Sequence, residues 1–329
     1  MHSGKWVLAA LASFSLLTGA IFQSAKKTPP PAQTENPLKM FKEAKPEDYI
    51  GDQACLECHA TEVDNFHRSS HATFSSDPTL PLDRKGCEGC HGPGKTHKDE
   101  EGGHDIAFTN MKPADTNAVC LRCHQDVMTT TQWHHEAHAR GGVSCISCHQ
   151  IHASETPASA AQKDDHGLLK KQIFPAAKMT GKLLKSDEAT LCGSCHRSEV
   201  AEFRQNSHHP VPEGRLVCSD CHQVHPTTSA GPKNPSAIKA KCVSCHADKA
   251  GPFVYEHDPV AGWMGTGCME CHKPHGSHNP QLLNSFSRGL CAQCHTEKLA
   301  NHFPGRSCWN AGCHVALHGS NSDSHFLAR

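Results

Sequence analysis

The sequence predicts a chain of short α-helices and loops, with little or no β-structure, wrapped around covalently attached prosthetic groups instead of a side-chain core. Three observations predict this fold class. Only 36% of the 329 residues are hydrophobic and 5% are aromatic. One five-residue motif recurs along most of the chain, and single histidines fall between its copies.

The composition argues against a conventional hydrophobic core. The mean hydropathy is −0.55, and the apolar side chains are too few to bury a sizeable core in a chain of this length. Flat apolar prosthetic groups would replace the missing apolar surface. We therefore expect the chain without them to be unfolded.

The recurring motif is Cys-x-x-Cys-His, which is typical of c-type haem attachment. In that chemistry both thiols form thioethers with the haem, and the adjoining His binds the iron. Nine copies have two residues between the cysteines, whereas the tenth has four. The copies are Cys55/Cys58/His59, Cys87/Cys90/His91, Cys120/Cys123/His124, Cys145/Cys148/His149, Cys192/Cys195/His196, Cys218/Cys221/His222, Cys242/Cys245/His246, Cys268/Cys271/His272, Cys291/Cys294/His295 and Cys308/Cys313/His314. They use all 20 cysteines, which leaves none for a disulfide. Zinc ribbons also use Cys-x-x-Cys pairs, but they do not require the His that follows each pair here.

Lone histidines follow the motifs in a regular order. From Gly51 onward, the chain repeats in five modules, each running motif, lone His, motif, lone His. A second imidazole such as His152 would close the opposite axial position of an iron. Ten lone histidines therefore match the number that ten irons with two imidazoles each require. They are His71, His97, His138, His152, His209, His225, His257, His275, His302 and His318.

The count leaves some ligand positions open. The alternatives are His208 in place of His209, His134 or His135 in place of His138, and His104 in place of His302. No Met recurs at a fixed offset from the motifs, and Met/His ligation raises haem potentials, so we expect low-potential irons. Irons with both axial positions filled offer no vacancy to a substrate. This favours electron transfer over an enzyme activity such as nitrite or peroxide reduction.

Composition also divides the chain into segments. The N-terminus has the features of a secretory signal, with Lys5 before a short apolar run; an uncleaved membrane anchor is the alternative. The predicted segments are a signal peptide at 1–25, a flexible leader at 26–50, motifs one to four at 51–152, a linker or insert at 153–191, and motifs five to ten at 192–329. The formal net charge is −1, and each haem would add two propionates. Such an acidic protein disfavours nucleic acid as a partner, because duplex binding needs clustered cations.

From Gly51 to Arg329 the chain resembles the MtrA/DmsE-type periplasmic decahaem cytochromes of Gram-negative bacteria. The resemblance is carried by Cys87-Glu-Gly-Cys-His-Gly-Pro-Gly, Cys120-Leu-Arg-Cys-His-Gln-Asp, Cys145-Ile-Ser-Cys-His-Gln-Ile-His, Cys218-Ser-Asp-Cys-His-Gln-Val-His, Cys242-Val-Ser-Cys-His-Ala-Asp-Lys, Glu256-His257-Asp-Pro-Val and His318-Gly-Ser-Asn. It implies a multihaem cytochrome c fold, in which loops and short helices wrap an elongated chain of ten haem c groups with bis-His iron.

The resemblance also implies a function. Such a protein enters an outer-membrane β-barrel from the periplasm and carries electrons between periplasmic carriers and an extracellular multihaem cytochrome, reductase, metal or mineral. The direction of flow is not implied. A soluble or membrane-anchored periplasmic shuttle and a multihaem reductase are the alternatives. Two features depart from the family pattern: the four-residue gap between Cys308 and Cys313, and the length of 153–191.

Overall fold

Short helices separated by turns make up most of the structure, which is a computed structural model describing residues 37–75, 77–102, 107–152, 184–225, 234–301, 307–309 and 312–327. The α-helices are α1 (Pro37–Glu43), α2 (Asp52–Leu56), α3 (Ala60–His67), α4 (Ala72–Ser75), α5 (Glu88–His91), α6 (Lys95–Asp99), α7 (Pro113–Cys120), α8 (Thr130–His135), α9 (Ala137–Arg140), α10 (Cys145–Cys148), α11 (Glu188–Gly193), α12 (Arg197–Glu202), α13 (Pro235–Val243), α14 (Asp258–Ala261), α15 (Arg288–Ala292) and α16 (Lys298–Asn301). Short 3-10 helices are Pro46–Asp48, Leu82–Arg84, Phe108–Asn110, Cys218–Asp220, Ala247–Lys249, Gly267–Glu270 and Pro280–Leu282. The predicted fold class is therefore confirmed.

Local signals begin the helices just before the odd-numbered motifs. Proline occupies the first turn of α7 and α13, where its missing N–H costs no hydrogen bond. The Asp187 side chain accepts a hydrogen bond from the Thr190 N–H at 2.8 Å and caps α11. Each of α2, α7, α11, α13 and α15 ends at or just after the first cysteine of its motif. These helices thus deliver one thiol each from their last turn.

Apart from isolated β-bridges, a two-stranded antiparallel sheet is the β-structure of the described residues. It pairs β1 (Ser207–His208) with β2 (Gly276–Ser277), in the register Ser207 to Ser277 and His208 to Gly276. The strands flank two predicted iron ligands, since His209 follows β1 and His275 precedes β2. This small sheet joins the third module to the fourth.

Buried side chains form small, separate clusters. One contains Leu121, Met128 and Trp133. Another contains Ala189 and Val211, with Phe203 and neighbouring apolar residues packed against it. Clusters of this size agree with the low apolar content, and the described residues all fall within one unit from Glu35 to Arg329.

The structure differs from the prediction of a flexible leader at 26–50 in the described part of that segment, residues 37–50. Within it, α1 and the 3-10 helix Pro46–Asp48 are folded, and Phe41 is buried. The guanidinium of Arg122 lies 3.5 Å from the centroid of the Phe41 ring, a cation–π contact that attaches the leader to the third motif. The cause is this distant partner, which a local composition argument does not detect.

The end of the predicted linker at 153–191 is also folded. The Lys185 N–H donates to the Cys148 carbonyl at 3.0 Å, and α11 begins at Glu188. Residues 153–183 lie outside the described part, as do 1–36, which contain the predicted signal. Across the described ranges, no helix combines the length and apolar character that a membrane span requires.

Candidate functional site

Every motif closes a turn of backbone between its first cysteine and its histidine. In the nine regular motifs, the His N–H donates to the carbonyl of the first cysteine, four residues earlier, at 2.9–3.2 Å. The expanded tenth motif keeps this closure, because the His314 N–H donates to the Cys308 carbonyl at 3.0 Å. The backbone of His314 therefore still returns to that of its first cysteine, although the two lie six residues apart instead of four.

The first cysteines meet in pairs within modules. The thiol of Cys55 hydrogen-bonds to that of Cys87, which lowers the pKa of Cys55 and raises the pKa of Cys87. The pairs are Cys55 with Cys87, Cys120 with Cys145, Cys192 with Cys218, Cys242 with Cys268, and Cys291 with Cys308. Side chains of the preceding helix hold the second partner in place: Asp52 accepts from the Cys87 N–H, and Asn117 accepts from the Cys145 N–H, both at 2.8 Å.

The second cysteines of neighbouring modules interact through their charges. Burial is the main cause that raises the pKa of Cys90, and a charge on Cys123 raises it further, which indicates that their motifs are neighbours. The same relationship joins Cys148 to Cys195, Cys221 to Cys245, and Cys271 to Cys294. First-cysteine interactions within modules and second-cysteine charge interactions between modules alternate along the chain. Consecutive motifs are therefore spatial neighbours from the first to the tenth.

The second cysteines of the first and tenth motifs, Cys58 and Cys313, stand outside this alternation. Exposure does not distinguish them, because the second cysteines Cys123, Cys195, Cys221, Cys245 and Cys294 are exposed as well. Their place at the ends of the series does, because an end motif has one neighbouring motif, which already interacts with its first cysteine. The backbone of Cys58 still follows the motif, since its N–H donates to the Cys55 carbonyl at 3.2 Å. Attachment through Cys58 therefore stays a prediction.

Within the described residues, nine motif histidines each face a lone histidine. The ring centroids of these pairs are 5.9–6.3 Å apart. Two imidazoles that bind one metal ion from opposite sides would place their centroids about 6.3 Å apart, because each metal–nitrogen bond is about 2.0 Å long. The pairs are His59–His97, His91–His152, His124–His71, His149–His225, His196–His138, His222–His275, His246–His209, His272–His318 and His295–His257. These residues thus fit an iron porphyrin between each two rings.

The pairing follows a staggered rule that the sequence did not reveal. A lone His that follows an odd-numbered motif faces the motif His two motifs further along the chain. For example, His71 faces His124. A lone His that follows an even-numbered motif, from the fourth onward, faces the motif His two motifs earlier in the chain. His152 therefore lies opposite His91 and not opposite its neighbour His149. At the N-terminal end His59 faces His97. Each module is joined to the next by two such pairs.

The structure also distinguishes between neighbouring candidates. His209, and not His208, faces His246; the His208 ring instead contacts the Gln205 carbonyl at 2.7 Å and the Glu213 carboxylate at 3.1 Å. Opposite His196 stands the ring of His138, and not that of His134 or His135. The two candidates for the partner of His314, His302 and His104, lie outside the described residues.

Burial keeps several of the facing rings neutral. It is the main cause that lowers the pKa of His71, His222, His257 and His318. The neutral imidazole is the form that binds a metal. Several rings also present Nδ1 to an acceptor, for example His209 to the Pro274 carbonyl at 2.5 Å. Such contacts orient Nε2 toward the space between the paired rings.

Paired thiols, closed Cys-x-x-Cys-His turns and facing imidazoles define a multihaem c-type cytochrome. Three family models match: a doubled CXXCH motif at residues 208–251 and 257–300, a cytochrome c-type protein NrfB-like family at 87–170, and cytochrome c554 and c-prime at 20–92. The multiheme cytochrome MtrA of Shewanella baltica is 30% identical over 299 residues, which cover 83% of this chain and 80% of that protein. The chain belongs to the MtrA family of multihaem cytochromes.

Two further relatives match over shorter lengths. The cytochrome c-type protein NrfB of Escherichia coli is 31% identical over 109 residues, which cover 32% of this chain and 55% of NrfB. The C-type polyheme cytochrome OmcC of Geobacter sulfurreducens is 25% identical over 213 residues, or 54% of this chain and 27% of OmcC. The resemblance to MtrA-type cytochromes noted from the sequence is thus confirmed.

Proposed function

We propose that this protein binds ten haem c groups with two histidines on each iron and transfers electrons along them in the order of the motifs. The observation that carries the proposal is the set of nine facing imidazole pairs, each including one motif His. The 20 cysteines hold the groups covalently, and the predicted tenth pair is His314 with His302. When bound, each haem supplies a one-electron iron couple.

The paired imidazoles favour electron transfer over catalysis. Each pair would supply two protein ligands to its iron, so a substrate would first have to displace one of them. The cysteine interactions support a serial arrangement, because each motif adjoins the motifs before and after it. The first and tenth motifs then form the two ends at which electrons enter and leave.

The proposed setting is extracellular electron transfer across the outer membrane. This finer proposal rests on membership of the MtrA family and on the serial order of the motifs. In this proposal the protein lies in the periplasm, is associated with the outer membrane and is seated in a β-barrel partner. Periplasmic electron carriers contact one end of the series, and an extracellular multihaem cytochrome or reductase contacts the other. The terminal acceptor would be a metal, a mineral or a reductase.

The test uses liposomes that enclose a redox dye and are challenged from outside with dithionite. Holo-cytochrome together with a purified candidate barrel should bleach the dye, whereas either component alone should not. Replacing Cys192 and Cys195 by Ser removes one attachment site in the middle of the series and should abolish bleaching. The matched control Ser194→Ala lies between those cysteines and should leave the rate unchanged.

Three results would contradict parts of this proposal. Bleaching without the barrel would overturn the conduit, and full activity after loss of Cys192 and Cys195 would overturn the serial order. No bleaching with any barrel, alongside rapid exchange with soluble carriers, would identify a periplasmic shuttle instead. Intact mass of the parent protein, which should show ten haems, checks the cofactor count independently.

A further inference from the structure

His275, the lone histidine that faces His222, is held against α12 by an unusually close backbone approach. A Cβ atom at the neighbouring Gly276 would lie 1.9 Å from the Glu202 carbonyl oxygen and 2.6 Å from its carbonyl carbon. Only a residue without a side chain permits this contact. The His275 ring also packs on Phe203, with centroids 5.2 Å apart. Position and orientation of the ring are therefore both set by α12 and the residue after it.

This approach brings a carboxylate to the outer nitrogen of the ring. Nδ1 of His275 lies 3.1 Å from Oε2 of Glu202. Four other predicted ligands present Nδ1 to a backbone carbonyl, at 2.5–3.2 Å: His152, His209, His272 and His314. A carboxylate is a stronger acceptor than a carbonyl, because it carries a full negative charge.

We propose that Glu202 is a positioning residue that lowers the reduction potential at the sixth motif through its hydrogen bond to His275. The proposal rests on the bis-imidazole ligation proposed above. A carboxylate that accepts the Nδ1 proton makes the ring a stronger electron donor at Nε2. Stronger donation stabilises ferric iron relative to ferrous iron, and outer-shell hydrogen bonding is an established means of tuning haem iron.

The exposure of the two side chains indicates that the hydrogen bond, and not the long-range electric field of the carboxylate, lowers the reduction potential. The His275 side chain is 26% exposed and that of Glu202 is 39% exposed. Solvent screens the through-space effect of a charge that is exposed to this extent. The direct hydrogen bond transmits the effect to the ring without that screening. The effect should therefore disappear when the imidazole is replaced, even though the carboxylate remains.

The experiment is a spectroelectrochemical titration of the holo-protein with Glu202→Gln, which keeps an acceptor oxygen but removes the charge. One-tenth of the haem absorbance should move to higher potential. At a fixed potential its ferric-to-ferrous ratio should fall about tenfold, or about 59 mV for one electron. The haem count and the low-spin spectrum should remain those of the parent.

The matched control is Glu213→Gln, because Glu213 makes the same kind of contact, at 3.1 Å, to His208, which faces no motif histidine. No haem should change its reduction potential in this variant. In a His275→Met background, Glu202→Gln should likewise produce no shift, since the hydrogen bond is already absent.

An unchanged titration of Glu202→Gln, an equal shift in Glu213→Gln, or an equal shift in the His275→Met background would each overturn the proposal. Failure of the underlying ligation has a different signature. It would be seen in the parent protein as fewer than ten haems or as high-spin iron, before any variant is compared.

Discussion

Replacing Gly276 by Ala should detach one iron ligand. The added Cβ would lie 1.9 Å from the Glu202 carbonyl oxygen, whereas real Cβ contacts essentially never fall below 3.0 Å. The backbone of β2 must therefore move away by at least 1.1 Å, which is 3.0 minus 1.9. A metal site tolerates deviations of only about 0.2 Å in its ligand distances. His275 should then no longer reach the iron that we propose it shares with His222.

The expected result is one high-spin haem in ten, together with a loss of stability of about 1–3 kcal/mol from overpacking. Carbon monoxide added to the reduced protein should bind to that one haem, and the binding difference spectrum measures the fraction. The control is Gly289→Ala in α15, where the nearest atom would lie 4.0 Å from the new Cβ. The control should bind no carbon monoxide. A Gly276→Ala protein that stays fully low-spin and unfolds like the parent would refute the reasoning.

Three further predictions concern stability, spectra and attachment. Arg122→Gln loses a cation–π contact and hydrogen bonds to carbonyl and carboxylate oxygens; it should lower the free energy of unfolding by about 1–3 kcal/mol, measured by guanidinium denaturation. The exposed ion pair between Lys95 and Asp99 should contribute less than about 0.5 kcal/mol to the free energy of unfolding. Equal losses of stability in Lys95→Gln and Arg122→Gln would therefore contradict the stabilising role of Arg122. Electron paramagnetic resonance of the oxidised protein should show more than one low-spin class, because four ring pairs cross at 12–26°, two at 40° and 58°, and three at 71–87°; parallel rings act on one iron d orbital, whereas perpendicular rings act on two equally. A single class would contradict the ring geometry. Cys308→Ser should leave the tenth haem attached by Cys313 alone, which pyridine haemochrome spectra detect as a shifted band; an unshifted spectrum would show that Cys308 forms no thioether.

The comparison of sequence with structure is clearest at the histidines. The order of motifs and lone histidines predicted a ligand set, and the structure brings nine lone histidines of that set opposite motif histidines. It also distinguishes His209, which faces a motif histidine, from the adjacent His208, which hydrogen-bonds to Glu213. Their ligation of iron stays a prediction. The spacing rule did not indicate which lone His faces which motif, because in eight of the nine pairs the partners belong to different modules.

The folded leader illustrates the opposite case. Phe41 belongs to a short apolar group, with Leu38 and Met40, inside a longer Pro-rich and polar segment, and the composition of that segment predicted flexibility. Its burial depends on the guanidinium of Arg122, which lies far along the chain and is itself held by Asp83. The fold of α1 is therefore a tertiary effect. An isolated seven-residue helix is too short to be stable in water by itself.

The sequence by itself determined the class of protein, the attachment positions and the number of candidate ligands. These properties are local, because each Cys-x-x-Cys-His turn closes within a few residues of the chain. Only the tertiary structure decided the staggered pairing of the imidazoles, the alternating cysteine interactions and the carboxylate beside His275. Those depend on segments that meet through close approaches such as that of Gly276 to Glu202, and no local pattern encodes which distant segment a residue will meet.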